Sequence, residues 1–266
     1  MGTTSKNLPV QAVKAAPLDP ADFIARCEAG AVSAGFRVET YGDIQGCPLI
    51  ALTKRTPGLR PRLYLSAGMH GDEPAAPLAL LEMMTAGIFD DRATWFLCPM
   101  LNPTGHARGT RENHDGRDLN RDYKDQVSLE AKAHARWLTR QPLFELTLCL
   151  HEDWESQGFY LYELNPNQRP SFAEPMIAAV ASVCPIEQSA IIDGRPAAAP
   201  GIIRPISDPL LRENWPEAIY LRHHHTTLSY TLESPSALPL AQRIQALRTA
   251  TDTAIKGLIH GQTAQS

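Results

Sequence analysis

The sequence predicts an α/β protein of three layers, with a mostly parallel or mixed central sheet between two layers of helices. Two observations carry this. Short apolar runs of strand length alternate with longer segments in which apolar residues recur at helical spacing. Four of the strand-like runs also stop directly before polar residues able to do chemistry: 62–68 before His70 and Glu73, 94–99 before Asn102, 145–150 before His151, and 227–232 before Glu233. In open α/β sheets ligands bind beyond the carboxyl ends of the strands, so four such runs suggest one shared site. Chance capping of strands by polar loop residues is the plain alternative.

Residues 1–18 mix polar residues, Ala and Pro without a period and read as a flexible tail ahead of a single domain over 19–266. Asp19-Pro20 reads as the cap and first residue of a helix reaching Ala34 and stopped by Gly35. The runs 36–44 and 48–53 alternate as paired strands around Gly46. After the strand at 62–68, residues 73–87 carry Leu78, Leu81, Met84 and Ile88 at helical spacing. A compact strand at 94–99 leads into a long polar segment, 102–123, and a loop of that length inside a compact domain is usually functional. Ser128 caps a helix to Arg140, 145–150 is a buried strand delivering His151, 158–164 is another strand and 170–183 a helix. Residues 192–216 hold five prolines, three arginines and two glycines, which predicts an irregular excursion, a possible rim over the site. The strand 226–233 follows, and Ser236 caps a closing helix with Leu240, Ile244, Leu247 and Leu258 on one stripe.

Composition narrows the function. A chain of 266 residues can bury a substantial core, and a net charge of −4 with 20% charged residues gives no electrostatic case for a nucleic-acid partner. The five cysteines are odd in number, widely spaced and free of any C-x-x-C pair, which predicts buried free thiols in a reducing compartment. No secretory h-region lies within Met1–Pro20 and no 18-residue apolar span occurs elsewhere, so the expectation is a cytoplasmic protein without a membrane segment.

His70 and Glu73 stand three residues apart where a strand ends. Neutral imidazole and carboxylate are both common zinc ligands, and a catalytic zinc site needs three protein ligands with a fourth position for water. Other catalytic frames are missing from the sequence: it has no G-x-S-x-G, no G-x-x-x-x-G-K, no G-x-G-x-x-G and no H-E-x-x-H.

Across residues 60–240 the chain resembles the zinc carboxypeptidase superfamily, which includes the murein peptide amidases and, more distantly, the succinylglutamate desuccinylase and aspartoacylase group. The resemblance rests on H-G-D-E at 70–73, N-P-T-G at 102–105, Arg111, D-L-N-R at 118–121, His151 after an apolar strand, and T-L-E at 231–233. It implies one Zn²⁺ held by His70, Glu73 and His151. Glu233 is then the general base, Arg111 faces the carbonyl oxygen as charge develops on it, and Asn120 with Arg121 binds the substrate's free carboxylate. Asp118 is expected to order its loop. The implied substrate is a small peptide or an N-acyl amino acid. The final strand and the N-P-x-G and D-L-N-R motifs favour a peptidase or amidase acting beside a C-terminal carboxylate. An N-acyl amino acid deacylase is the alternative, and a non-catalytic binding protein on the same scaffold a second one. Tyr220 takes no assigned role. Glu152, Asp153 and Glu155 read either as partners orienting a metal ligand or as solvated charges at a turn, and His223-His224-His225 as a polar turn before a strand.

Overall fold

The structure, a computed structural model, describes residues 17–263; most of the expected tail, residues 1–16, lies outside them. Helix α1 (Pro20–Ser33) begins at Asp19, whose carboxylate accepts the Ala21 N–H at 2.9 Å. Strands β1 (Arg37–Ile44) and β2 (Cys47–Lys54) form an antiparallel hairpin around Gln45 and Gly46, both at positive φ. Next come β3 (Arg62–Ser66), α2 (Ala75–Thr85), β4 (Thr94–Cys98), α3 (Pro103–Arg108), a 3₁₀ turn at Leu119–Arg121 and α4 (Leu129–Leu138). The second half contains β5 (Leu146–Asp153), β6 (Tyr160–Leu164), α5 (Ala173–Val180), the short strands β7 (Ile191–Ile192), β8 (Arg195–Pro196) and β9 (Ile202–Ile203), α6 (Glu217–His224), β10 (Ser229–Pro235) and α7 (Leu240–Thr263).

Eight strands form one mixed sheet in the order β1-β2-β4-β3-β5-β10-β6-β9, and β7 pairs only with β8. Its centre, β4-β3-β5-β10, is parallel. The chain therefore leaves these four strands at the same edge, where the sequence concentrates its chemistry. Alternate residues of each strand enter opposite layers, as the two-residue period requires. Leu63, Leu65, Trp95 and Leu97 join the core beneath α1, α2, α5 and α7, whereas Tyr64, Phe96 and Cys98 join a second core with Trp137, Tyr123 and Tyr220 beneath α4 and α6.

The structure corrects several expectations. The polar segment 102–123 is not all loop: Pro103 opens α3 and Asn102 Oδ1 accepts the Gly105 N–H at 2.9 Å, enough to nucleate two turns. β5 runs on through His151 to Asp153, so this histidine sits within a strand. α5 is shorter than 170–183. The closing helix starts at Leu240, after Pro239, because the Ser236 N–H donates to the Asp153 carbonyl; Leu240 is 38% exposed and drops out of the buried stripe. The region 192–216 contains the β7-β8 hairpin and β9, and α6 follows it directly. His223 and His224 thus end a helix instead of forming a turn, and Tyr220 packs against Tyr123, with ring centroids 5.8 Å apart. All five cysteines are free thiols, four of them buried and Cys47 half-buried. Among the described residues no helix is long and apolar enough to cross a membrane.

Candidate metal centre and active site

The first two candidate ligands depend on a close crossing of two loops. Beyond β3, Gly71 lies against α3, where a Cβ would stand 1.9 Å from the Gly105 carbonyl carbon, and a Cβ on Gly105 would collide with the Asn102 carboxamide. Glycine is required at both positions by this approach. Asn102, fully buried, uses its amide group to donate to the carbonyls of Met69 (3.2 Å) and Arg111 (3.3 Å). It fastens three loops together and does not face the cavity, so only three of the four strand ends contribute side chains to one site.

His70, Glu73 and His151 converge. All three are buried and their candidate donor atoms lie within 4.8 Å of one another. Glu73 takes one imidazole on each oxygen, with His70 Nδ1 at 2.5 Å from Oε1 and His151 Nδ1 at 2.9 Å from Oε2, while the Glu152 N–H donates to Oε2 at 3.2 Å. The far nitrogen of His70, Nε2, meets Asp118 Oδ1 at 3.2 Å. A carboxylate behind a ligating imidazole is the usual way to fix its tautomer and orientation. The electrostatics agree. Burial works against a proton on His70, yet Glu73 and Asp118 outweigh it and push its pKa up to about 9. Burial likewise opposes ionisation of Glu73, but the two imidazoles hold it well below the usual carboxylate range.

Two nitrogens and a carboxylate therefore share a buried point that demands positive charge. A divalent cation would answer all three at once, and this N₂O donor set is that of hydrolytic zinc sites. The residues present fit the ion.

The centre opens onto a cavity of about 260 Å³ lined by His70, Glu73, Arg111, Asn120, Arg121 and Glu233, among others. Glu233 lies directly across from His151 in the parallel pairing of β10 with β5. Its carboxyl is pushed well above the ordinary range, chiefly by burial, with Glu73 and Asp153 adding repulsion against the pull of His151. Arg111 donates from Nε to Asp118 Oδ2 at 3.0 Å, and its Nη1 stands 3.3 Å from His70 Nδ1. Asn120 and Arg121 occupy the 3₁₀ turn on the cavity wall, where Arg121 Nη1 donates to the Asn120 carbonyl at 2.7 Å. Asp118 caps that turn through the Asn120 N–H at 2.9 Å, so it orders the loop and backs His70 as well. Tyr220 does not line this cavity.

Sequence reasoning missed part of the wall. Tyr160 and Tyr162, two positions apart on β6 and so on one face, line the cavity beside Glu233, which pairs with Tyr160. Tyr160 donates its hydroxyl proton to Asp153 at 2.9 Å, and Tyr162 donates to Asp193 at the tip of the β7-β8 hairpin. The alternation in the run 158–164 was the available signal. The Glu152 carboxylate is already engaged: it accepts the Ala75 N–H at 2.5 Å and pairs with buried Arg243, and burial, against the pull of that arginine, pushes its carboxyl up to about 7. Its backbone N–H, not its side chain, meets Glu73. Glu155 lies on the cavity wall.

This architecture has known counterparts. A crystal structure from Shewanella amazonensis SB2B, named a "putative metallopeptidase", superposes with a TM-score of 0.79 at 26% identity, over 90% of this chain and 93% of that one. Another so named, from Shewanella baltica OS155, gives 0.77 at 26% identity over 89% and 92%. A metallo-carboxypeptidase from Burkholderia cenocepacia, at 21% identity, shares the fold with a TM-score of 0.66 over 93% of this chain and 70% of that one. No curated protein matches the sequence. Residues 60–245 match the succinylglutamate desuccinylase/aspartoacylase catalytic domain, and the chain belongs to that hydrolase family, on a carboxypeptidase-like fold.

Proposed function

We propose that the protein is a zinc-dependent hydrolase of an amide bond whose nitrogen belongs to an amino acid with a free carboxylate. The observation that carries this reading is the convergence of His70, Glu73 and His151 at the cavity that also presents Glu233, Arg111, Asn120 and Arg121. A zinc ion bound by the triad supplies Lewis acidity toward the amide carbonyl and brings the pKa of water toward neutrality. The remaining work falls to the side chains. Glu233 takes a proton from the attacking water and returns it to the leaving nitrogen, as a carboxylate on the cavity wall across from His151 can. Arg111, held by Asp118, offers a fixed guanidinium to the negative charge developing on the carbonyl oxygen. Arg121 offers the substrate's carboxylate a planar two-pronged donor. Asn120 completes that grip: its oxygen accepts the Glu217 N–H at 3.0 Å, which leaves its amide hydrogens for the substrate.

Peptide and N-acyl amino acid present the same group, an acyl–NH–CHR–carboxylate. The family match favours the N-acyl amino acid, and the two Shewanella proteins favour the peptide. A panel of dipeptides, their C-terminal amides, and N-acetyl and N-succinyl amino acids, assayed with and without a chelator, separates the readings. Cleavage confined to free carboxylates and abolished by the chelator is expected. Equal cleavage of the amidated peptides would remove the role given to Arg121, and activity indifferent to chelation would remove the metal.

A further inference from the structure

Glu217 is a buried carboxylate that the chemistry above does not use. It is the first residue of α6, 1% exposed, and sits in a line of hydrogen bonds whose directions can be worked out. Its oxygens accept the hydroxyl protons of Tyr64 (2.7 Å) and Ser66 (2.8 Å). Since Tyr64 has one proton and gives it to Glu217, its oxygen accepts from His134 Nε2 at 2.9 Å. That leaves His134 Nδ1 to accept the Tyr123 hydroxyl proton at 2.6 Å. Each bond points toward Glu217, so the carboxylate receives as an acceptor from both sides.

The backbone of the same residue donates to Asn120 Oδ1, and the Asn120 N–H goes to Asp118 Oδ1, the atom that faces His70 Nε2. The path is closed. It runs from His70 to Asp118, Asn120, Glu217 and Ser66, and returns along four residues of chain from the end of β3 to His70. A ring of this kind fixes distances that a single tether would leave free, because each member is held from two sides.

We propose that Glu217 is a positioning residue: by fastening the start of α6 to Ser66 and Tyr64 while holding the Asn120 carboxamide, it sets the carboxylate-binding turn at its working distance from the metal triad. This rests on the role given to Asn120 above. α6 shares no covalent turn with either partner, so without the Glu217 carboxylate the helix start, and Asn120 with it, loses its register against β3.

The test is a double-mutant cycle in KM and kcat on the zinc-loaded enzyme, using the best substrate of the panel above, with circular dichroism and zinc content measured on every variant. Asn120→Ala is expected to raise KM about tenfold, the loss of one hydrogen bond to a charged group. Glu217→Ala is expected to raise KM to a similar degree with kcat within about threefold, and the double variant to be no worse than the poorer single one. Ser66→Ala, which removes one bond and is the milder change, is expected to raise KM about threefold with the same lack of additivity; it decides the matter if Glu217→Ala does not fold. Independent losses that multiply with Asn120→Ala, or an unchanged KM in the Glu217 and Ser66 variants, overturn the positioning role alone. An unchanged KM in Asn120→Ala overturns the carboxylate site of the proposed function and the positioning role with it.

Discussion

Two buried polar clusters meet at the end of β3, and they differ in what completes them. Toward the cavity, His70, Glu73 and His151 bring two imidazoles onto one carboxylate, with the Arg111 guanidinium 3.8 Å from it, and their donor atoms face one shared point. Below the sheet edge, Tyr123, His134, Tyr64, Ser66 and Glu217 match every donor to an acceptor. One cluster is arranged as an ion's ligands would be, and the other is satisfied within the chain. A buried polar group costs little when fully paired and several kcal/mol when it is not. The open cluster is therefore where a ligand belongs, and the closed one is where geometry is stored.

The comparison breaks most visibly at Glu233. It belongs to neither cluster's pairing, so Glu233→Gln leaves both intact and is expected to lower kcat by about 10²–10⁴ while zinc content stays near one per chain, the range for a lost general base. Turnover within tenfold of the wild type would take Glu233 out of the mechanism.

Next in size is the metal itself. Because the triad is charged and incomplete, zinc should raise the unfolding free energy by about 4 kcal/mol when its concentration is a thousandfold above the dissociation constant. His151→Ala should lose both the bound zinc and that thermal shift. A variant that still titrates with one zinc at unchanged affinity would show that His151 is not a ligand.

The same contrast explains which parts of the molecule were legible in the sequence. The strand ends were, because β3, β5 and β10 are bounded apolar runs; the close crossing at Gly71 and Gly105 was not, because it joins two loops far apart in the chain. His70, Glu73, His151 and Glu233 stand at or near those ends. α6 was not legible: Pro216 and the histidines at 223–225 frame eight residues without a clear apolar stripe, and what makes them helical is burial of Ala218, Tyr220 and Leu221 against β5 and β10. The closed cluster depends on that helix, since Glu217 is its first residue, and so it was hidden as well. Asn102 looked like a site residue because it follows a strand in the same way as His70. Only the three-dimensional crossing shows that its amide is spent on Met69 and Arg111.

A pH titration probes the closed cluster. Burial, with the charge of His225 adding to it, lowers His134 from an ordinary 6.5 to about 3 in the folded protein. A neutral ring is also what the donor pattern requires, with Nε2 giving and Nδ1 receiving. Above pH 6.5 neither state binds the proton. Between 6.5 and about 3 the unfolded chain binds it and the folded one does not, so stability falls as pH falls. The His134 contribution is up to about 1.4 kcal/mol per pH unit. Urea unfolding at pH 7, 6 and 5 should show a slope in the wild type that is shallower in His134→Asn; equal slopes would mean that His134 charges within the fold.

One further substitution separates the clusters most cleanly. Tyr123 stands at the far end of the closed line, where its hydroxyl satisfies His134 Nδ1 and its ring packs on Tyr220. Tyr123→Phe keeps the ring and deletes the donor, leaving one buried acceptor unpaired at a cost of about 1–3 kcal/mol. That loss should appear in the urea midpoint, and zinc affinity should be unchanged, because the missing bond is three links from Glu217 and no triad ligand shares it. A drop in zinc affinity as large as the drop in stability would mean that the two clusters are one cooperative unit, and the division between an ion-completed and a self-completed region would have to be abandoned.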